Sequence, residues 1–288
     1  MKLAIGAAQF GLDYGVANAT GLVHEREVKS ILDFGKSQGI ELIDTAIAYG
    51  ISENVLGGMC LDSWNIITKL PGIPSTVRNC EEWASEQVLA SLSRLKIKSL
   101  YSLLLHRPSD LLSESGNRLY KRLDFLKREG LVKKIGISIY SLTNLDEILK
   151  RFNIDVIQIP VNIFDRSLET SGWGERLDDM GIEIHARSIF LQGLLLLNPL
   201  NRPSKFKKWE PDFKRYDKWL SENNVSPLQA NLSYVNQLKF VKKIIVGVDR
   251  KEHLEEIVNS ILPDTLDIPI LFQNKDLRLI NPSEWKNI

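Results

Sequence analysis

Four ionisable side chains follow apolar runs in the first 106 residues of the chain. Asp44 ends the run ELID, Tyr49 follows it within DTAIAYG, Lys69 ends NIITK, and His106 ends YSLLLH. Taken singly, each has a structural explanation, such as a turn cap for Asp44 or a solvated strand end for Lys69. Because the pattern recurs at the ends of three successive apolar runs, we interpret the four residues as parts of one site.

These residue types can deliver a proton to an oxygen that gains negative charge. A free phenol has a pKa of about 10, which is too high for efficient proton transfer near neutrality. An ammonium such as that of Lys69 lowers the pKa of a nearby phenol, and a carboxylate such as that of Asp44 keeps the ammonium charged and fixed. The imidazole of His106 can hydrogen-bond a substrate oxygen. Reduction of a carbonyl by hydride requires this proton delivery.

Eight short apolar runs alternate along the chain with segments of helical spacing. The runs are 3–8, 41–46, 65–70, 101–106, 134–138, 156–161, 183–188 and 243–248. Between them, spacings such as that of Ala84, Val88, Leu92 and Leu95 predict amphipathic helices. Strands that are apolar on both faces and alternate with helices indicate a parallel sheet. Eight such units in 288 residues favour a (β/α)8 TIM barrel, whose active site lies at the carboxyl ends of the strands.

Two segments interrupt the alternation. Residues 192–212 form a long connection with three prolines, which is typical of a loop that covers an active site. Residues 263–288 are expected to pack as a C-terminal extension of the barrel. Neither a repeat nor a linker is present in the sequence, so we expect a single domain over 1–288.

The bulk composition excludes several classes of partner. With 37 basic and 36 acidic residues the net charge is +1, which gives no large field for nucleic acid or an anionic membrane. No apolar run reaches 18 residues, and the N-terminus does not read as a signal peptide. Cys60 and Cys80 lack the CxxC spacing, which indicates a reducing compartment and no zinc site. We therefore expect a cytoplasmic protein that acts on a small molecule without a metal.

Three stretches give the chain a resemblance to the aldo-keto reductases over nearly its whole length. DTAIAYGISENVLG (44–57) resembles one family signature, and SLSRLKIKSLYSLLLHRP (91–108) resembles a second that ends in the catalytic His. LKREGLVKKIGIS (126–138) resembles the segment that leads to a nicotinamide-contacting Ser. The resemblance implies carbonyl reduction with Tyr49 as the general acid, Lys69 and Asp44 as its tuning pair, and His106 as the group that orients the carbonyl.

The resemblance also implies a nicotinamide cofactor held extended across the mouth of the barrel. By position, Ser138 and Gln158 would bind the carboxamide, and Gln9 would lie beside the nicotinamide. The other residues implied to contact the cofactor are Arg187, Ser188, Gln192, Gly193, Asp249, Arg250 and His253.

Several of these positions depart from the family pattern. Arg187 replaces the aromatic residue that commonly stacks on the ring, and Ile139 replaces a common Asn. Asp249 occupies a position often held by a phosphate-binding Ser and would repel a 2′-phosphate, whereas Arg250 and Lys251 would attract one. The family favours NADP(H), with NAD(H) as the alternative.

The substrate side is expected to be polar. Phe10 and Tyr14 lie in the loop 9–21 after the first run, and Ile51 and Arg107 lie near the acid and the His in sequence. Our hypothesis is a substrate with a carbonyl on a keto or aldehyde sugar, although Arg107 pointing to solvent is an equally good reading.

Two other functions remain open from the sequence. The altered cofactor positions allow a catalytically weak nicotinamide-binding sensor or scaffold. A lyase that uses Lys69 as a Schiff base is disfavoured, because Asp44 would keep protonated an amine that must lose its proton. The oligomeric state is not readable.

Overall fold

Eight parallel strands close into a barrel within the residues described by this computed structural model, which are 2–16, 18, 21–262 and 266–288. The strands are β1 (Leu3–Gly6), β2 (Leu42–Asp44), β3 (Asn65–Leu70), β4 (Leu100–Leu105), β5 (Val132–Ser138), β6 (Val156–Pro160), β7 (Glu183–Arg187) and β8 (Val241–Gly247). Each strand pairs with the next along the chain, and β8 returns to pair with β1. The predicted TIM barrel is confirmed, with one strand in each predicted run.

Helices connect the strands on the outside of the barrel. They are α1 (Glu25–Ser37), α2 (Ser52–Gly57), α3 (Cys80–Leu95), α4 (Gly116–Arg128), α5 (Leu145–Arg151), α6 (Ser167–Thr170), α7 (Trp173–Asp179), α8 (Glu210–Glu222), α9 (Pro227–Gln237), α10 (Lys251–Asn259) and α11 (Leu277–Ile280). Each helix read from apolar spacing is present, and its apolar stripe faces the strands, as Val28, Ile31 and Leu32 do in α1.

Apolar side chains fill both sides of the sheet. A small cluster inside the barrel consists of Ala4, Leu42, Ile67, Leu104, Val156 and Ile245. A larger cluster lies between the strands and the helices. Burial on both faces explains why the strands read as continuous apolar runs, and it holds the strand ends in fixed positions.

Polar side chains close the amino-terminal end of the barrel. The Tyr101 hydroxyl accepts from Lys134 Nζ (2.7 Å) and donates to Glu183 Oε2 (3.0 Å), and Lys134 also pairs with Glu183. Burial alone would raise the pKa of Glu183, but hydrogen bonds from His185, Lys134 and Tyr101 outweigh it and lower the pKa to about 2. This end of a TIM barrel serves stability, so the cluster supports the fold on the side opposite the carboxyl ends.

The long connection after β7 is mostly anchored. It forms 3-10 helices over Leu194–Leu196, Pro199–Asn201 and Ser204–Trp209 before α8 begins. Phe206 is buried against Trp285, with ring centres 4.8 Å apart, and Lys205 Nζ donates to the Trp285 carbonyl (3.0 Å). The predicted C-terminal extension therefore packs on this connection in residues 266–288, while its predicted start at 263–265 lies outside the described residues. No described helix is long and apolar enough to cross a membrane.

Candidate active site

Lys69 and Asp44 form a buried ion pair near the carboxyl ends of β3 and β2. Lys69 Nζ lies 2.7 Å from Asp44 Oδ2 and donates to the Thr45 carbonyl at 2.8 Å. The Lys69 side chain is 0% exposed and that of Asp44 is 5% exposed. Burial lowers the pKa of Lys69, and the Asp44 carboxylate opposes that change. The two charges therefore compensate each other in a water-excluded position.

The turn that carries Tyr49 depends on two glycines. A Cβ at Gly11 would lie 1.9 Å from the Tyr49 carbonyl oxygen, so only glycine allows this approach of the β1 loop. Gly50 adopts φ +55°, a conformation that L side chains seldom adopt. Ser52 Oγ donates to the Ala7 carbonyl at 2.8 Å and fixes the start of α2 to the end of β1. The Tyr49 ring is thus set by the backbone of two neighbouring loops.

Glu53 completes the support behind this turn. Its buried carboxylate accepts from Thr68 Oγ1 (2.6 Å) and Ser91 Oγ (2.5 Å) and from Arg94 Nε (2.8 Å). These contacts tie α2 to β3 and α3. The Ser-Glu part of the first sequence motif therefore has a structural role and does not reach the cleft.

Tyr49 and His106 lie beside the ion pair. Lys69 Nζ is 4.9 Å from the centre of the Tyr49 ring, and the Tyr49 and His106 rings are 5.9 Å apart in an edge-to-face arrangement. The structure thus brings together the four residues singled out in the sequence. We call Asp44, Tyr49, Lys69 and His106 the polar cluster.

The protonation states in the polar cluster follow mainly from burial. Burial raises the pKa of Tyr49, Asp44 raises it further, and Arg187 opposes both. The expected net lowering of the Tyr49 pKa is therefore wrong for this state, because burial and the Asp44 carboxylate outweigh the nearby positive charge. Burial, followed by Lys69 and Arg187, lowers the pKa of His106 to about 4. Near neutrality the cluster presents a protonated phenol beside a neutral imidazole.

A cleft of about 390 Å³ opens above the polar cluster and crosses the barrel mouth. Tyr49 and His106 line it after β2 and β4, and Asp249 and His253 line it after β8, which is opposite β4 in the closed barrel. The site residues from the sequence that line this cleft are Gln9, Tyr14, Asp44, Tyr49, His106, Arg187, Ser188, Gln192, Gly193, Asp249 and His253.

Three further site residues expected from the sequence are buried and lie beneath the floor of the cleft. Lys69 is buried behind Tyr49. Gln158 and Ser138 are buried on neighbouring strands, where Gln158 Nε2 donates to Asp44 Oδ1 at 2.7 Å and Ser138 Oγ lies 3.5 Å from Gln158 Oε1. Gln158 therefore fixes the Asp44 carboxylate from the side opposite Lys69.

Four expected contacts need correction. Phe10 is 0% exposed and packs in the apolar core instead of facing the cleft. The Arg107 guanidinium is held away by Asp110 (2.6 Å) and by the Ile73 carbonyl (2.5 Å). The Ile51 side chain is 52% exposed and lies outside the cleft, as does the exposed Arg250. None of these four side chains lines the cleft in this structure.

Other cleft residues were missed in the sequence. The Tyr140 ring lies 4.1 Å from the Arg187 guanidinium, whose Nη2 donates to the Ile139 carbonyl at 3.0 Å. Glu256 lies one helical turn after His253 on α10 and lines the same cleft, as Leu196 and Leu197 also do. Helical spacing from His253 is the signal that points to Glu256; Tyr140 has no comparable signal.

A contact between two loops spans the cleft mouth. Gln192 Nε2 donates to the Tyr14 hydroxyl at 2.9 Å, and the Val16 amide donates to the Gln192 carbonyl at 3.1 Å. Ser188, Leu191 and Gln192 have φ of 54°, 46° and 53°, which is unusual for residues other than glycine. Strained backbone of this kind concentrates at functional sites.

The structure is a TIM barrel with the polar cluster and a cleft at its carboxyl rim, and comparison with known proteins identifies its family. The sequence model of the aldo/keto reductase family matches residues 2–268, so the chain belongs to that family. Membership implies an NAD(P)H-dependent oxidoreductase that acts on carbonyl groups.

Individual relatives agree with this assignment. The chain is 26% identical over 251 residues to an uncharacterized oxidoreductase, YqkF, from Bacillus subtilis (strain 168), covering 80% of this chain and 81% of that one. It is 28% identical over 232 residues to an aldo-keto reductase from Gibberella moniliformis, covering 76% and 68%. In fold it resembles the holo form of the aldo-keto reductase AKR11C1 from Bacillus halodurans, with a TM-score of 0.73, 21% identity, and 92% and 88% of the two chains covered.

Proposed function

We propose that this protein reduces an aldehyde or ketone to an alcohol, reversibly, with Tyr49 as the general acid. The observation that carries the proposal is the grouping of Tyr49, His106 and the Lys69–Asp44 pair at one rim of the barrel, under a cleft. Each of these residue types has a separate role in carbonyl reduction, and they can act on one carbonyl only if they lie close together.

The cleft fits a nicotinamide dinucleotide. It runs from Tyr49 to Asp249, and it offers polar groups from Gln9, Ser188 and Gln192 between them. Asp249 lines the cleft on the β8 side, where its carboxylate can accept a hydrogen bond from a ribose hydroxyl. When bound, the nicotinamide supplies the hydride that reduces the carbonyl carbon.

The residues of this chain supply the proton and hold the carbonyl. Burial keeps Tyr49 protonated, so its hydroxyl can donate when the carbonyl oxygen becomes an alkoxide, which is a far stronger base than a phenolate. The phenolate that remains is stabilised by the ammonium of Lys69, 4.9 Å from the ring centre. His106, neutral near pH 7, donates a hydrogen bond to the same oxygen and orients it.

The lyase alternative fits the geometry poorly. A Schiff base needs an accessible, neutral amine, whereas Lys69 is 0% exposed and bound to Asp44 Oδ2 and the Thr45 carbonyl. A sensor would bind the cofactor without reducing a carbonyl, so a measurement of turnover distinguishes it from a reductase.

The substrate class we propose is a keto or aldehyde sugar. Tyr14, Tyr140 and Arg187 bring hydroxyl and guanidinium groups to the cleft wall beside the polar cluster. A carbonyl panel of keto sugars, aldehyde sugars and plain aromatic aldehydes, assayed with NADH and with NADPH, tests the proposal. Turnover of sugars supports it; preference for aromatic aldehydes contradicts the substrate class, and tight cofactor binding without turnover of any carbonyl favours the sensor.

A further inference from the structure

We propose that this reductase selects NAD(H) over NADP(H), and that Asp249 is the residue that makes the selection. The inference rests on the proposed function, because it requires a nicotinamide dinucleotide in the cleft. It departs from the family tendency toward NADP(H), and its basis is the charge at the far side of the cleft.

The position of Asp249 places it at the adenosine half of the cofactor. Asp249 follows β8 and lines the same cleft as Tyr49 and His106. A dinucleotide that presents its nicotinamide to Tyr49 must extend along this cleft, so its other half reaches the β8 side. There the wall consists of Asp249, His253, Glu256 and Ile257.

The Asp249 carboxylate suits a ribose hydroxyl and opposes a phosphate. Its Oδ1 is buried and has no hydrogen-bond partner in the described part of the chain. A 2′-hydroxyl can donate to the Asp249 carboxylate, and a carboxylate recognises the ribose in this way in the NAD-binding Rossmann folds, which have a different architecture. A 2′-phosphate carries negative charge and only acceptor oxygens. The Asp249 carboxylate would therefore repel it and could not donate a hydrogen bond to it.

The neighbouring cations Arg250 and His253 offset the Asp249 carboxylate only in part. Lys251 Nζ is 2.9 Å from Glu255 Oε1, and Arg250 is exposed and outside the cleft wall. Glu256 adds a second carboxylate to the wall, against the single imidazole of His253.

The amino terminus of α10 is also occupied by a carboxylate. The backbone amide of Lys251, the first residue of α10, donates to Glu27 Oε1 at 2.6 Å. Helix amino termini favour anions, and here Glu27 from α1 takes a place that a phosphate would otherwise use. A 2′-phosphate would therefore face Asp249 and Glu256 on the cleft wall, while Glu27 occupies the Lys251 amide.

Calorimetric titration of the purified protein with NADH and NADPH separately tests the proposal, because it measures binding without turnover. We expect NADH to bind at least tenfold more tightly than NADPH. Asp249→Asn and Asp249→Ser should weaken the binding of NADH and strengthen the binding of NADPH. The dissociation constant of NADPH divided by that of NADH should therefore fall by about tenfold. Asp179→Asn is the matched control, since it removes an exposed carboxylate on α7 and should leave the ratio unchanged.

The outcomes separate this inference from the proposed function. NADPH binding as tightly as NADH to the unmodified protein overturns the inference and leaves the reductase function standing. A ratio that Asp249→Asn and Asp249→Ser both leave unchanged overturns the role of Asp249. If neither nucleotide binds, the proposed function fails and the inference fails with it.

Discussion

The Lys69 ammonium lies 2.7 Å from the Asp44 carboxylate, and both side chains are almost completely buried. A pair of this kind stabilises a site only while both charges are present, because either one alone would be left uncompensated in a position of low dielectric. Gln158, which donates to the second oxygen of Asp44, makes the carboxylate part of a three-residue network beneath Tyr49.

Removal of the Asp44 charge should destabilise the fold. Asp44→Asn leaves the Lys69 ammonium buried without its partner, and we expect a loss of about 3–5 kcal/mol in the free energy of unfolding, measured with urea. The double variant Asp44→Asn with Lys69→Met removes both charges and should recover part of that loss. Equal or greater loss in the double variant would show that the two charges are not coupled.

The depressed pKa of His106 should make stability depend on pH. The imidazole has a pKa of about 4 in the fold against an ordinary value of 6.5, so the unfolded chain binds more protons between these limits. Stability should therefore fall as the pH decreases from about 6.5 toward 4, with His106 contributing about 3 kcal/mol. Urea unfolding at several pH values, compared with His106→Gln, checks this. The variant should lose part of the pH dependence, and identical slopes would contradict the prediction.

Bound nucleotide should protect the loop contact over the cleft. Gln192 and Tyr14 join two loops at the mouth, and residues 188–190, 192, 193, 196 and 197 line the cleft, whereas the rest of the long connection is anchored by Phe206 and Trp209. Limited proteolysis should cut within 188–197 and slow when the nucleotide is added. Tyr14→Phe, which removes the hydrogen bond to Gln192, should speed cleavage without nucleotide. Cleavage rates that nucleotide does not alter would reject a covering role for this segment.

Much of the architecture was predictable because its signals are local. The strands are buried on both faces and so read as apolar runs, and the polar cluster stood out because Asp44, Lys69 and His106 follow those runs directly. The sequence did not predict that 192–212 would be largely anchored, since its packing depends on Trp285, far along the chain.

The remaining differences arise from contacts that sequence position does not specify. Arg107 is next to His106, but Asp110 and the Ile73 carbonyl hold its guanidinium away from the cleft. Phe10 begins the loop after β1 yet packs inward. The raised pKa of Tyr49 reflects its burial and the nearby Asp44 carboxylate, and neither effect is visible before the chain is folded.

The most direct test of the account is the turnover of Tyr49→Phe, measured together with its affinity for nucleotide. The substitution removes only the hydroxyl that we propose to deliver the proton. We expect kcat for carbonyl reduction to fall by about 10²–10⁴-fold, with the nucleotide dissociation constant changed less than about threefold. A Tyr49→Phe protein that binds nucleotide normally and reduces carbonyls at the unmodified rate would contradict the central claim.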